Sequence, residues 1–126
     1  MTDLVAFIEA RLAEDEAVAH AAGRYPPGHN DGTTWHAAAL QTSWDTRVDQ
    51  HVARHDSARV LRETAAKRRL LMLRANAAGA VAGAWEGTPQ RNRVVDHAYL
   101  EAITDVLAEV ATAWSDHADY RAEWAP

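Results

Sequence analysis

The sequence predicts a mainly α fold: a small helical bundle of three long helices plus a short one, with an irregular or small β-hairpin insert after helix 1. Three observations carry that prediction. Alanine, the strongest helix former, supplies 28 of the 126 residues. Apolar residues recur at helical spacing in three long stretches. Proline and glycine gather in two short segments between those stretches, where they punctuate the chain. At this length the chain is expected to be one domain, large enough to fold without cross-links.

Helix 1 is expected over residues 1–22. Thr2 suits an N-cap, and Asp3 suits the positive end of a helix dipole. Leu4, Val5, Ile8, Leu12 and Ala19 share one face, with Phe7 and Val18 widening it, while Glu9, Glu14, Asp15 and Glu16 fall mostly outside. Gly23 ends the pattern. Residues 23–44 open with "GRYPPGHNDGTTW", in which "NDG" reads as a tight turn. The following "TTWHAAALQTSW" alternates weakly, as a short strand would, although its alanines suit a helix equally.

Residues 45–78 read as a short helix followed by a long one. Val48, Val52 and His55 share a face in the first. In the second, Ala58, Leu61, Ala65 and Met72 form a stripe interrupted where Arg68 falls. Val60, Thr64 and Leu71 lie beside it, and Leu70 and Leu73 thicken its end. Residues 79–91, containing "GAVAGAWEGTPQRN" up to its last residue, form a linker. The last helix spans 92–115, with Asn92 as its cap. Leu100, Ile103, Leu107, Val110 and Trp114 make its inner stripe, flanked by Val95, Tyr99, Ala102 and Val106. Glu101, Asp105 and Glu109 occupy the wet face. In the tail, 116–126, Tyr120 and Trp124 stand one helical turn apart and are expected to dock on the bundle.

Bulk properties narrow the function classes. The chain is 48% hydrophobic and 25% charged, the mix of a soluble globular protein. No apolar run approaches the roughly 20 residues that cross a bilayer. The acidic N-terminus has the wrong charge for a signal peptide, so a cytoplasmic location without membrane contact is expected. The absence of cysteine excludes disulfides, thiolate metal sites and cysteine nucleophiles. Charge is segregated, with balances of −5 over residues 1–46, +5 over 47–74 and −5 over 75–126. Helices that face and neutralise one another would account for this.

Four constellations could carry chemistry. His51 and His55 lie four apart, so in a helix both imidazoles could reach one cation, with Asp56 adding an oxygen. A third ligand would have to come from a residue such as His97, His117, Asp116 or Asp119. The competing reading is a joint: His55 at the negative end of one helix, Asp56 accepting amide hydrogens at the start of the next. The joint is favoured, and no cofactor is expected. Arg59, Arg62 and Arg69 line a helical face and could track phosphates, although the acidic net charge argues against nucleic acid. Trp35, Trp44 and Trp85 fall in loops, where a large ring covers the core or anchors a partner. Glu14 to Glu16 with His20 could form an acid–base pair, but a solvated helix surface explains them more simply.

Three segments carry a resemblance: "MTDLVAFIEARLAEDEAVA" at the start, "HVARHDSARVLRETAAKRRLL" in the middle and "SDHADYRAEWAP" at the end. Together, over about half the chain, they resemble an uncharacterised family of small actinobacterial and phage-associated proteins, domain-of-unknown-function family 6221. In that family a proline commonly follows the His-Asp step and another follows the histidine of the tail, where this chain has Ser57 and Ala118. Proline at the first position of a helix belongs to a cap, so the resemblance favours the joint. It implies no activity and no catalytic residues. The resulting expectation is a non-enzymatic protein-interaction or regulatory module that binds a protein partner or a second copy of itself. The alternatives are nucleic-acid binding through Arg59, Arg62 and Arg69, and a metal-dependent activity at His51, His55 and Asp56.

Overall fold

The computed structural model describes residues 2–22 and 46–126, without the side chains of Thr2, Asp3, Thr46, Val48 and Asp49. The 23–44 insert with its hairpin alternative, Trp35, Trp44 and the cap role of Thr2 lie outside the described residues. Among the described residues there are four α-helices and no strand, so the mainly α class stands. The helices are α1 (Thr2–Ala22), α2 (Thr46–Arg54), α3 (Ser57–Ala82) and α4 (Gln90–Ala111), followed by 3-10 turns at Thr112–Trp114 and Ala122–Trp124. None of the described helices is long and apolar enough to cross a membrane. The chain forms two compact units, one of Met1–Arg11 with Lys67–Pro126 and one of Leu12–Ala66. Helices α1 and α3 each contribute residues to both.

The first unit is organised around the start of α1. Leu4, Phe7, Ile8 and Arg11 are buried there at helical spacing. The tail closes over Phe7. Its ring meets those of Trp114, His117, Tyr120 and Trp124 at centroid separations of 6.5, 5.9, 6.0 and 5.0 Å. Three of the four contacts are edge-to-face, the arrangement that places a ring's positive edge on its neighbour's negative face. Arg11 fastens the same segment: its Nη1 donates to His117 Nδ1 at 2.7 Å and stands 3.8 Å from the Asp119 carboxylate. The Asp119 amide donates to His117 Nδ1 at 3.0 Å. Tyr120 and Trp124 thus dock as their spacing predicts.

Two helices turn differently from the sequence reading. On α3, Ala65 and Met72 are exposed, Met72 to 59%, while Ser57, Thr64 and Leu71 are buried. A rotation that buried the Ala58–Met72 stripe would also bury the Arg68 guanidinium, at a cost that alanine methyls cannot offset. The buried Thr64 hydroxyl donates to the Leu61 carbonyl at 3.0 Å and so leaves no unsatisfied group. Helix α3 also runs past Gly79 to Ala82, with the Gly83 amide bonded to the Gly79 carbonyl at 2.9 Å. Val18, expected to widen the inner face of α1, is exposed.

Helix α4 starts at Gln90, two residues before the expected cap at Asn92. Pro89 is the boundary residue instead: its carbonyl accepts the amides of Asn92 and Arg93 at 2.9 and 3.2 Å. Proline has no N–H to leave unpaired, and its fixed φ, here −52°, is close to helical. Inside, Ile103, Thr104, Leu107 and Ala111 are buried, and the Thr104 hydroxyl donates to the Leu100 carbonyl at 2.7 Å. Leu100, Val110 and Trp114 are half-buried, whereas the expected flank of Val95, Tyr99, Ala102 and Val106 is exposed.

Phe7→Ala is expected to lower the unfolding free energy by about 3–5 kcal/mol, since it removes the ring that the tail encloses. Val18→Ala and Met72→Ala should each change it by less than about 0.5 kcal/mol. Urea denaturation followed by circular dichroism separates the two groups; comparable losses at all three positions would contradict the burial described.

Candidate interaction surface

The joint between α2 and α3 is built from a single carboxylate. Asp56 is buried, and its Oδ1 accepts the Arg59 amide at 2.8 Å, which satisfies one donor of the first turn of α3. The Val60 amide bonds to the Asp56 carbonyl at 3.1 Å. On the other side the His55 amide bonds back to the His51 and Val52 carbonyls at 3.2 and 3.1 Å, closing the last turn of α2. The His51 and His55 rings lie side by side, 4.6 Å apart, and both are exposed. Among the described residues no group of three or more histidines, aspartates or glutamates is arranged to hold a metal ion. His117 and Asp119, which could have supplied a third ligand, are held by Arg11. Asp56 thus caps the first turn of α3.

The arginine ridge is divided. Arg59 Nε donates to Glu63 at 2.7 Å, and its Nη1 reaches the Arg54 carbonyl at 3.5 Å. Arg62 and Arg69 are exposed and have no ion pair among the described residues. On α1, Glu14 and His20 are exposed at the surface. Trp85 is 72% exposed and sits on a tight turn: its carbonyl accepts the Thr88 amide at 2.8 Å, and its amide donates to Thr88 Oγ1 at 3.0 Å. The indole lies against Gly87, where a Cβ would overlap the ring. A hydrogen-bonded turn therefore holds a large aromatic surface in solvent.

Among the described residues, several large exposed hydrophobic side chains lie on the outer side of α4. Val95, Tyr99 and Val106 are 59%, 48% and 44% exposed and follow one another at offsets that keep them on one row, with Ala102 between. Beside that row run Glu101, Asp105 and Glu109, each exposed and four apart. None of the three carboxylates forms an ion pair among the described residues. Among the described residues, the mutual neutralisation expected from the charge segregation does not reach these three carboxylates. Like charges at this spacing destabilise a helix by about 0.2–0.5 kcal/mol per pair. The acidic row borders a cavity of about 610 Å³, with Leu4, Val106 and Trp124 in its walls and Asp105, Glu109 and Glu123 contributing carboxylates.

The match to a known family covers residues 1–126, and its description is Family of unknown function (DUF6221). The chain belongs to that family. The match extends beyond the three segments that carry the resemblance in the sequence. No curated protein and no solved structure matches the chain. What this DUF6221 protein can do chemically therefore rests on its own side chains. Among the described residues two features of its surface stand out: an apolar row left exposed and a carboxylate row without an ion pair. A partner bearing apolar groups next to cations complements both.

The sequence placed Val95, Tyr99, Ala102 and Val106 at the edge of the core. The missed signal is width. Counted together, the two apolar rows of α4 cover more of its circumference than one neighbouring layer buries.

Asp56→Ala is expected to destabilise the fold by about 1 kcal/mol, with Asp56→Ser retaining most of the stability because serine also caps. Adding a chelator to the wild type should leave its thermal midpoint unchanged. A midpoint that drops with chelator would instead assign His51, His55 and Asp56 to a metal.

Proposed function

We propose that this chain is a cytoplasmic, non-enzymatic protein-interaction module whose docking surface is the outer face of α4 together with Trp85. The observation that carries the reading is the row Val95, Tyr99 and Val106, apolar and exposed along a helix whose opposite side is already buried. Isolated apolar residues on a surface need no explanation, but an aligned set flanked by charges has the composition of an interface centre and rim. Trp85 adds the residue type most enriched among residues that dominate binding energy, held in place by the Thr88 and Gly87 turn. Trp35 and Trp44 remain candidates of the same kind by residue type alone. Nucleic-acid binding is weakened as an alternative because Arg59 is committed to Glu63.

A photo-activatable cross-linker placed at position 99 in cells is expected to trap a discrete polypeptide, identified by mass spectrometry. Val95→Glu combined with Val106→Glu should remove the adduct without lowering the thermal midpoint, and Trp85→Ala should weaken association at least about tenfold. An adduct that survives the paired glutamates would refute this surface. Retention on duplex DNA that falls steeply between about 50 and 200 mM salt, and that Arg62→Glu with Arg69→Glu removes, would favour nucleic acid instead.

A further inference from the structure

The docking reading leaves the partner open, and the chemistry of the first unit narrows it. Along α4, residues 94–111 carry four carboxylates and no lysine or arginine. Along α3, residues 67–74, "KRRLLMLR", carry four cations and no acid. The exposed residues of that α3 segment include Arg69 flanked by Met72 and Leu73, a cation set among apolar side chains. The exposed residues of α4 are Glu101, Asp105 and Glu109 next to Val95, Tyr99 and Val106. Each surface lacks what the other presents. Among the described residues of one molecule they do not satisfy each other, because neither Arg69 nor any of the three α4 carboxylates forms an ion pair there.

We propose that the acidic, apolar outer face of α4 receives the basic, apolar outer face of α3 from a second copy of this chain. This rests on the docking reading above and specifies its occupant. Apolar side chains meet apolar side chains, Met72 and Leu73 against Val95, Tyr99 and Val106, while Arg69 meets the carboxylate row. The cavity beside Asp105 and Glu109 offers a guanidinium a place to enter, with the Trp124 ring on its wall. Other cations of this unit already use ring faces: Lys67 Nζ lies 4.8 Å from the Trp114 ring and the Arg121 guanidinium 5.6 Å from that of Trp124. Because each copy supplies both faces, a two-fold arrangement forms the contact twice and closes on itself, giving a dimer and not a growing chain. Charge sets the register, since sliding α3 along α4 would separate Arg69 from the carboxylates.

Sedimentation velocity on the full chain over a wide concentration series tests this. The wild type is expected to pass from monomer to dimer with rising concentration, and less readily at high salt. Arg69→Glu and Asp105→Arg should each weaken the dimer at least about tenfold, since each sets like charges against one another twice. An equimolar mixture of the two variants should dimerise again, because every contact between unlike copies is then of opposite charge. Glu109→Arg serves as a second acidic-row variant, and unchanged circular dichroism melts confirm that each variant is folded. A wild type that stays monomeric throughout, variants that dimerise as the wild type does, or a mixture that stays monomeric would each overturn the proposal. A monomeric wild type that nevertheless cross-links from position 99 to a different polypeptide would overturn the dimer and leave the docking surface standing. A monomeric wild type that cross-links to nothing would overturn both.

Discussion

The enclosure of Phe7 by the tail is the contact on which the rest of the first unit depends. It joins residue 7 to rings at 114, 117, 120 and 124, and Arg11 fastens His117 one turn further along α1. The chain between those partners includes most of the protein, so the order they impose is long-range and carries a large loop-closure cost. A single ring recovers that cost through buried area and favourable edge-to-face geometry. The buried guanidinium adds direction: hydrogen bonds to an imidazole have a preferred geometry that apolar packing lacks. The enclosure also decides which side of α4 is inner. Once Ile103, Leu107 and Ala111 turn inward with the tail at their end, Val95, Tyr99 and Val106 can only face out.

The sequence is most readable where large side chains repeat on a polar background. Leu4, Ile8, Leu12 and Ala19 are buried as their spacing predicts, and so is Phe7. The α2–α3 joint was legible for a different reason. An aspartate directly after a histidine, followed by a fresh helical pattern, leaves few uses for its carboxylate other than a cap, and the Arg59 amide occupies it. Helix α3 was harder to read because its pattern is made of alanine and arginine. A methyl group contributes little burial energy, so periodicity in alanine does not fix a rotation, while one misplaced guanidinium does. Thr64 and Leu71 took the inner positions, and the threonine hydroxyl folded back onto its own helix.

The start of α4 shows a related limit. Asn92 has the side chain of a cap, but Pro89 has the backbone of one, and backbone accounting prevailed. Side-chain preference at a helix start is worth about 1 kcal/mol, which a proline three residues earlier can override by removing a donor that would otherwise need a partner. The outer face of α4 was missed for a reason that no single-helix pattern can repair. Periodicity says which residues share a row; how many rows a neighbour covers depends on tertiary structure.

Cations in this chain are handled in two ways, and the contrast bears on what the surface is for. Arg11, Arg59, Lys67 and Arg121 each meet a carboxylate, an imidazole or a ring face within the same molecule. Among the described residues Arg69 does not, and neither do the carboxylates of α4. If net solubility were all that the α4 row provided, its charges would gain from alternating in sign, as i,i+4 pairs of opposite charge stabilise a helix and pairs of like charge do the reverse. A uniform row gives up that local gain. The arrangement becomes favourable only when the whole row acts on one external object, because charges of one sign add their potentials at a point outside the helix. The apolar row beside it sets the distance at which that object must sit, close enough to exclude water and so to strengthen the same electrostatic attraction. On the docking proposal, helix α4 would act as one surface with two coupled parts, in which the apolar row supplies contact and the acidic row supplies selection.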